Sequence, residues 1–592
     1  MRCYIYTEKI VPQTVAGKDG IATSVNGPLS LTALQRQIFC NVELNGSNLE
    51  AVGFDMDFTL AQYNVDFDLL AFNGAKKKLV NILHYPKAVL DIPHDPTAFR
   101  RGLIIDKSRG NIIKADRHRY SRRAMHGLRQ LTQEERKATY TQNTPPSFTE
   151  SNYVSVDTLF LLIDAILFAN LVQMKNDAAA DANAAPEMAA FFANKSFEQL
   201  YKDLRHCVDL CHRDGDIKDA VMRDPSKYII YDDGMVEMLQ RLKNSGKKIF
   251  LLTNSMWEYT QVVMDYLVNA RRGGGGGGGS GAKAPSLAAA QEEGVHEASA
   301  KAPEGRAKGN GKGKGKGITK AVVAAEAAAT ATAGSKRDEM DENLDPIKWE
   351  DLFDVIIVGA NKPGFLTDDY LGLFRVDRTT GVLHNVEDKD TLSYECLASP
   401  SGGGKVFQGG HWQDLHRMLE ISAGDRILYV GDHMYSDILR SKRTLGWRTC
   451  LIIPELEVEL EVSMLEVDAQ EEVLKWRRLQ YDLDEYIDLL RNRIGLGVQC
   501  QKELQLAQEK AIEVKEIVRN VTLAYNNKFN VNWGQIFKSS YQQSRFAKQV
   551  SDYACLYTSR ASNLGLINPN RPFRPVISSY AHDQMLDIEF FS

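Results

Sequence analysis

Two aspartates one residue apart, Asp55 and Asp57, close an apolar run that begins near Leu49, and the chain turns away directly after them in Phe58-Thr59-Leu60. The run reads as a short buried strand, which sets both carboxylates at its C-terminal edge, where open α/β sheets place their ligands. Three later apolar runs end in complementary groups. Lys247 to Leu252 leads into Thr253-Asn254-Ser255, Phe353 to Val358 leads to Lys362, and Arg426 to Val430 leads into Gly431-Asp432-His433 and, five residues after Asp432, Asp437. Asp55 and Asp432 offer hard oxygen ligands suited to Mg²⁺, which commonly takes phosphate oxygens as its other ligands. Thr253, Asn254 and Ser255 offer donors to a phosphate, and Lys362 offers a compact positive charge. Asp55 then has the chemistry of a nucleophile toward phosphorus. Asp57 has that of a group that protonates a leaving oxygen and later activates water.

These groups need elements to bring them together. A strand-helix-strand crossover takes about 30 residues, so most of the chain between Leu60 and Lys247 is additional structure, read as a cap inserted over about 62–228. Within it, Arg101 to Asp106 and Gly110 to Lys114 read as a β-hairpin turning around Ser108 to Asn111. Phe197 to His212 reads as a helix that stacks Arg205, Asp209 and His212 on one face, with Lys218 just beyond. By spacing alone that is a solvated charged face. Cys207 and Cys211, flanked by His206 and His212, read as sharing a packed helical face and not as a zinc site.

The expected order is an N-terminal extension over 1–46 with one helix from Leu29 to Phe39, a first core segment over 47–270, a linker over 271–346, a second core segment over 347–460 and a mostly helical region over 461–592. The linker, with Gly273 to Gly279 and the Gly-Lys alternation Gly311 to Gly317, is expected to be disordered, because it cannot bury enough apolar surface to offset chain entropy. It joins a helix, Trp257 to Val268, to the Phe353 strand, on the side away from the ligand edge, so its removal is expected to leave catalysis intact. Val473 to Ile494 and Leu504 to Val521 carry helical periodicity, read as a packed subdomain with a coiled-coil partner site as the sharper alternative. Trp533 to Tyr557 reads as a further helix folding back on the core.

Composition excludes little. A chain of 592 residues that is 43% hydrophobic and 25% charged is ordinary globular protein, and 72 basic against 77 acidic residues give no overall pull toward nucleic acid or anionic membrane. Eight irregularly spaced cysteines read as reduced thiols, and the absence of a secretory core or an apolar run of spanning length leads to the expectation of a cytoplasmic protein.

The four ordered motifs resemble those of the haloacid dehalogenase superfamily of phosphotransferases. More narrowly, Phe54 to Ala61, Arg101-Gly102-Leu103, Gly446-Trp447-Arg448-Thr449, Ile453 to Leu456 and Phe546 to Val550 resemble the cytosolic purine 5′-nucleotidase family. The resemblance implies a Rossmann-like parallel sheet of α/β class with an inserted α+β cap, Mg²⁺ dependence with the Asp57 carbonyl as a further ligand, and hydrolysis of nucleoside 5′-monophosphates of the inosine or guanosine kind through an aspartyl-phosphate on Asp55. It further implies a homo-oligomer, a possible transfer of phosphate to a nucleoside hydroxyl, and a base pocket of Phe160, Arg205, Asp209, His212 and Lys218. Leu161 departs from the purine pattern, which has an asparagine there, and loss of a hydrogen bond to the base weakens the basis for that preference. A nucleotide-binding scaffold and a phosphatase for a non-nucleotide ester stand as alternatives.

Overall fold

The computed structural model describes residues 30–140, 147–180, 186–270, 347–367, 372–386, 392–398 and 404–575. The linker read over 271–346, and Leu29 with the residues before it, lie outside that set.

In chain order, the elements that frame the molecule are β1 (Ala51–Phe54), α1 (Val65–Asn81), α2 (Leu161–Ala180), α3 (Phe197–Arg213), β2 (Lys248–Leu252), α4 (Trp257–Asn269), β3 (Val355–Val358), β4 (Val406–Gly409), β5 (Ile427–Gly431), β6 (Arg448–Ile452), α5 (Val467–Gly495), α6 (Gln501–Asn527) and β7 (Leu556–Thr558). The seven labelled strands are parallel and lie in the order β7-β6-β5-β1-β2-β3-β4 within a ten-stranded sheet. Phe39–Cys40 closes one edge antiparallel to β7, and Leu373–Val376 followed by Leu383–Asn385 closes the other. Strands buried on both faces read as unbroken apolar runs, as Val-Ile-Ile-Val does in β3. The chain winds outward from β1 through β2 to β4, then returns to lay β5 against the other side of β1. That reversal opens a crevice at the C-terminal ends of β1 and β5.

Between β1 and β2 the chain builds a five-stranded antiparallel sheet and packs helices beside it. Ile104–Asp106 pairs with Asn111–Ala115 as the hairpin reading required, and also with Tyr153–Ser155. Arg101 ties this module to the core: its guanidinium donates to the Asp432 and Ile452 carbonyls at 2.9 and 3.2 Å and pairs with Glu455 at 2.5 Å. Asn269, at the end of α4, accepts from the backbone N–H of Ile347 and donates to its carbonyl, both at 3.0 Å.

Two expected helices differ. The N-terminal one is short, Leu31–Gln35 capped by Ser30, and Phe39 enters the edge strand. The C-terminal one is helical only over Arg545–Tyr553. Asn530 there accepts the N–H groups of Asn532 and Trp533 in a turn, Lys538–Ser539 and Gln542–Gln543 form a hairpin around a left-handed Ser540, and Ser544 caps the helix at its first turn. Leu556 to Thr558 is then drawn into the sheet as β7, where tertiary pairing overrides the helical period that runs up to it.

Candidate active site

Asp55 directly follows β1, Thr253 follows β2, Lys362 lies on the loop after β3, and Asp432 follows β5. The sheet therefore brings all four strand ends to one crevice, and the side chains meet there. The Lys362 ammonium lies 2.9 Å from Asp55 Oδ1, 2.8 Å from Asp437 Oδ1 and 2.9 Å from the Tyr429 hydroxyl, which donates onward to the Leu252 carbonyl. Oxygens of Asp55, Asp432 and Asp437 lie within 4.8 Å of one another, and all three residues are buried. Asp437 sits on the π-helical turn Met434–Leu439 and accepts the His433 N–H at 3.2 Å. A Cβ on Gly431 would come 2.5 Å from Asp437 Oδ2, so only glycine lets that carboxylate close over the strand end. Phe58 and Asn361, flanking the groups that meet here, hold left-handed backbone at φ 54° and 56°, which an asparagine adopts readily and a phenylalanine only under strain.

Burial governs the charges. It pushes the Asp55 carboxyl well above its usual range, with Lys362 pulling the other way and Asp437 and Asp432 adding to the rise. Burial, with Asp437 beside it, lifts Asp432 to about 7. Lys362 stays an ammonium: burial opposes its charge, but Asp437 and Asp55 outweigh it. Three buried carboxylates thus face one buried cation.

Asp57 points to a different set of partners. Tyr63 donates to its Oδ1 at 2.5 Å, Ser255 to its Oδ2 at 2.8 Å, and the Tyr63 and Tyr259 hydroxyls meet at 3.0 Å. Burial raises Asp57, and the two hydroxyl donors hold it down. The Thr253 hydroxyl accepts the Ser255 N–H at 3.0 Å. Asn254 has its side chain engaged twice with the Lys362 backbone, at 2.6 and 3.1 Å, so it fixes the loop that presents the ammonium.

Of the residues read as a nucleotide pocket, Phe160, His212 and Lys218 come together near Asp57, while Arg205 pairs with Asp209 and Asp164. Phe160 packs edge-on against Phe58 at 4.6 Å between centroids and against His212 at 6.0 Å, and Lys218 Nζ lies 5.9 Å from the centre of the Tyr259 ring. Arg205 is held between Asp209 and Asp164, whose two oxygens it meets at 3.1 and 3.0 Å, with the Tyr201 hydroxyl donating to Asp164 at 3.2 Å. Cys207 and Cys211 lie buried as thiols, pushed up by burial to about 12 and about 11, and Cys211 lies 3.0 Å from where a Cβ on Gly74 of α1 would stand.

Sequence reasoning missed Asp164, Tyr63, Tyr259, Tyr429, Thr158 and the Arg101–Glu455 pair. Thr158 donates to Asp432 Oδ2 at 3.0 Å. Asp164, one helical turn beyond Phe160 and fully buried, carried a usable signal, since a carboxylate inside an apolar helix implies a cationic partner.

Burial, followed by the Arg205 and Lys218 charges, drives His212 from an ordinary 6.5 down to about 4. The unfolded chain therefore takes up a proton that the folded chain refuses, so this stability is fully present above about 6.5 and is lost as pH falls toward about 4. The unfolding midpoint of His212→Gln should fall less steeply over that interval than that of the parent. Parallel slopes would show that His212 is not the titrating group.

A parallel sheet with a carboxylate-ammonium cluster buried at its switch point has that cluster where α/β enzymes hold their ligands. The family model described as the 5′ nucleotidase family matches residues 38–276 and 339–585, and the chain belongs to that family. It is accordingly a phosphomonoester hydrolase. A 5′-nucleotidase domain-containing protein of Dictyostelium discoideum is 27% identical over 542 residues, covering 89% of this chain and 72% of the relative. No described helix is long and apolar enough to cross a membrane.

Proposed function

We propose that the protein is a Mg²⁺-dependent 5′-nucleotidase of the haloacid dehalogenase type, acting on nucleoside 5′-monophosphates through Asp55. The observation that carries this reading is the cluster of three buried carboxyl groups, Asp55, Asp432 and Asp437, around the Lys362 ammonium at the switch point of the sheet. Asp437 accepts through both oxygens, from Lys362 and from the His433 N–H, whereas Asp55 accepts from Lys362 and the Met56 N–H through Oδ1 and Asp432 accepts from Thr158 through Oδ2, so the other oxygen of each is the one offered to a cation. A buried, all-oxygen set of this kind fits a hard divalent ion, which would take the place of the protons that burial favours on Asp55 and Asp432 and would be held by Asp55, Asp432 and the Asp57 backbone carbonyl. When bound, Mg²⁺ draws charge from the phosphate oxygens.

Asp55 attacks phosphorus, forming the P–O bond as the ester oxygen leaves, and Asp57 delivers a proton to that oxygen. Asp57, now a carboxylate steadied by Tyr63 and Ser255, removes a proton from the water that cleaves the aspartyl-phosphate. Lys362 neutralises the phosphate as its charge moves, and the turn Thr253-Asn254-Ser255 cradles it through the Thr253 hydroxyl and the Asn254 backbone N–H, the Asn254 and Ser255 side chains being engaged with the Lys362 backbone and Asp57; Asp437 holds Lys362 in place. Segment 62–228 acts as the cap, with Phe160, Arg205, Asp209, His212 and Lys218 receiving the nucleoside. A purine such as that of inosine or guanosine monophosphate is the favoured base, with Phe160 as its stacking face. A nucleoside hydroxyl in place of water makes the same intermediate a phosphate donor.

Phosphate release should be measured from a panel of nucleoside 5′-monophosphates and sugar phosphates, with Mg²⁺ and with a chelator. Turnover confined to nucleotides and abolished by chelation is expected. Turnover on sugar phosphates alone would redirect the assignment to another ester, and full activity in chelator would remove the metal from it.

A further inference from the structure

Two β-hairpins lie side by side at one end of the five-stranded sheet and carry a concentration of cations that the reaction does not use. The first turns over 116–120, between Asn111–Ala115 and Ser121–His126, and the second joins Lys538–Ser539 to Gln542–Gln543. The Arg117 N–H donates to the Gln543 carbonyl at 2.9 Å, which ties one to the other. Over 115–123 and 538–543 the chain carries Arg117, Arg119, Arg122, Arg123 and Lys538 against Asp116 alone. That carboxylate is spent inside its own turn. Fully buried, it accepts the N–H groups of His118 and Tyr120 at 2.8 and 3.0 Å and pairs with Arg122 at 2.6 Å. The turn is thereby held outward, with Arg117, His118, Arg119 and Tyr120 all exposed.

The guanidinium groups crowd one another. Arg136 of the helix Gln133–Tyr140 reaches back to the Ser121 and Arg122 carbonyls, and Arg123 donates to the Asn532 carbonyl at 2.7 Å. Carbonyls satisfy these N–H groups without cancelling their charge. Burial, followed by the Arg136 charge, holds Arg123 below its ordinary value, and burial followed by the Arg122 charge does the same to Arg136. Glu134 on that helix is shared between Lys137 and Arg136. The fold therefore keeps like charges together at a surface, an arrangement that an anionic partner relieves. Two exposed rings sit among them. Tyr120, 42% exposed, has the Arg122 guanidinium 5.9 Å from its centre, and Tyr541, 60% exposed, has that of Arg477 on α5 at 4.4 Å.

We propose that this surface binds single-stranded nucleic acid without regard to sequence. Guanidinium forks match phosphate oxygens bidentately, and an exposed tyrosine beside a cation is a face on which a base stacks. The rings select this partner over an acidic peptide, which brings charge but no flat faces to cover them. Neither turn presents a leucine or phenylalanine of the kind that anchors a segment in a lipid surface. The near-balance of 72 basic and 77 acidic residues over the whole chain conceals this local excess.

Fluorescence anisotropy of a labelled oligouridylate of ~15 nucleotides, a length that covers one single-strand site, tests this on the full chain. Binding is expected at micromolar protein, and it should weaken on the order of 50-fold between ~50 and ~200 mM salt, as neutralising about four phosphates of a single strand requires. Arg117→Glu combined with Arg119→Glu should weaken it by about tenfold or more, with helix content and phosphate release unchanged, since neither side chain enters the reaction. Tyr120→Ala should weaken it by about fivefold or more with the salt slope unaltered, which separates stacking from charge. No binding at the lower salt, binding indifferent to these substitutions, or equally tight binding of polyglutamate or phosphatidylserine vesicles overturns the proposal.

Discussion

Asp55→Asn should lower phosphate release by about 10⁴-fold or more, the scale lost when a covalent nucleophile is removed. The asparagine keeps the size of the side chain and leaves an amide oxygen for Lys362, which lies 2.9 Å from Asp55 Oδ1, so the fold should survive. It also keeps an acceptor for the Met56 N–H, now bonded to Asp55 Oδ1 at 2.8 Å. A second readout separates loss of the nucleophile from loss of substrate binding. Rapid acid quench of the parent with a phosphate-labelled monophosphate should trap a protein-bound, hydroxylamine-labile phosphate that the variant lacks. A variant within tenfold of the parent sinks the nucleophile assignment.

Lys362→Met should cost about 3–5 kcal/mol of stability as well as activity, because it strands buried carboxylates without their cation. The Lys362 side chain is 2% exposed and that of Asp437 is fully buried, so solvent cannot replace the lost partner. Without the ammonium, the pull that offsets burial at Asp55 disappears, and the carboxylates bind protons more tightly in the folded state. The deficit should therefore shrink as pH falls and those protons go on, and grow as pH rises. Thermal or denaturant unfolding at two pH values checks the sign. Combining Lys362→Met with Asp437→Asn should recover much of the stability and none of the turnover, a non-additivity expected of a directly bonded pair. Unchanged stability in the single variant would show that the cluster is solvated in solution and that the charge argument for a divalent ion fails.

The parallel core and the four strand ends were legible because each is a local event, an apolar run followed within a few residues by the group it presents. Asp55, Thr253, Lys362 and Asp432 needed only the assumption of one sheet to converge. The partners that orient them were not legible. Arg101 reaches Glu455 across 354 residues, and Asp164 reaches Arg205 from another helix, so neither pair leaves a spacing to read. The strand Leu556–Thr558 was hidden for another reason: three residues following an amphipathic helix carry too little period of their own, and their pairing with Cys450 to Ile452 decides them. The short N-terminal helix failed similarly, since Phe39 and Cys40 gain more by completing a sheet edge than by extending an isolated turn.

The amide clamp between Asn269 and Ile347 gives the molecule a port. Whatever polypeptide runs between these two residues leaves and re-enters the core at one point, already closed by a pair of hydrogen bonds. Because the clamp already holds the two ends together, closure entropy for any unstructured loop joined there rises by only about 0.6 kcal/mol for each doubling of its length. Sequence there is free to lengthen, shorten or host a foreign module at little expense to the sheet. The same point is a natural place to mount a reporter on the enzyme.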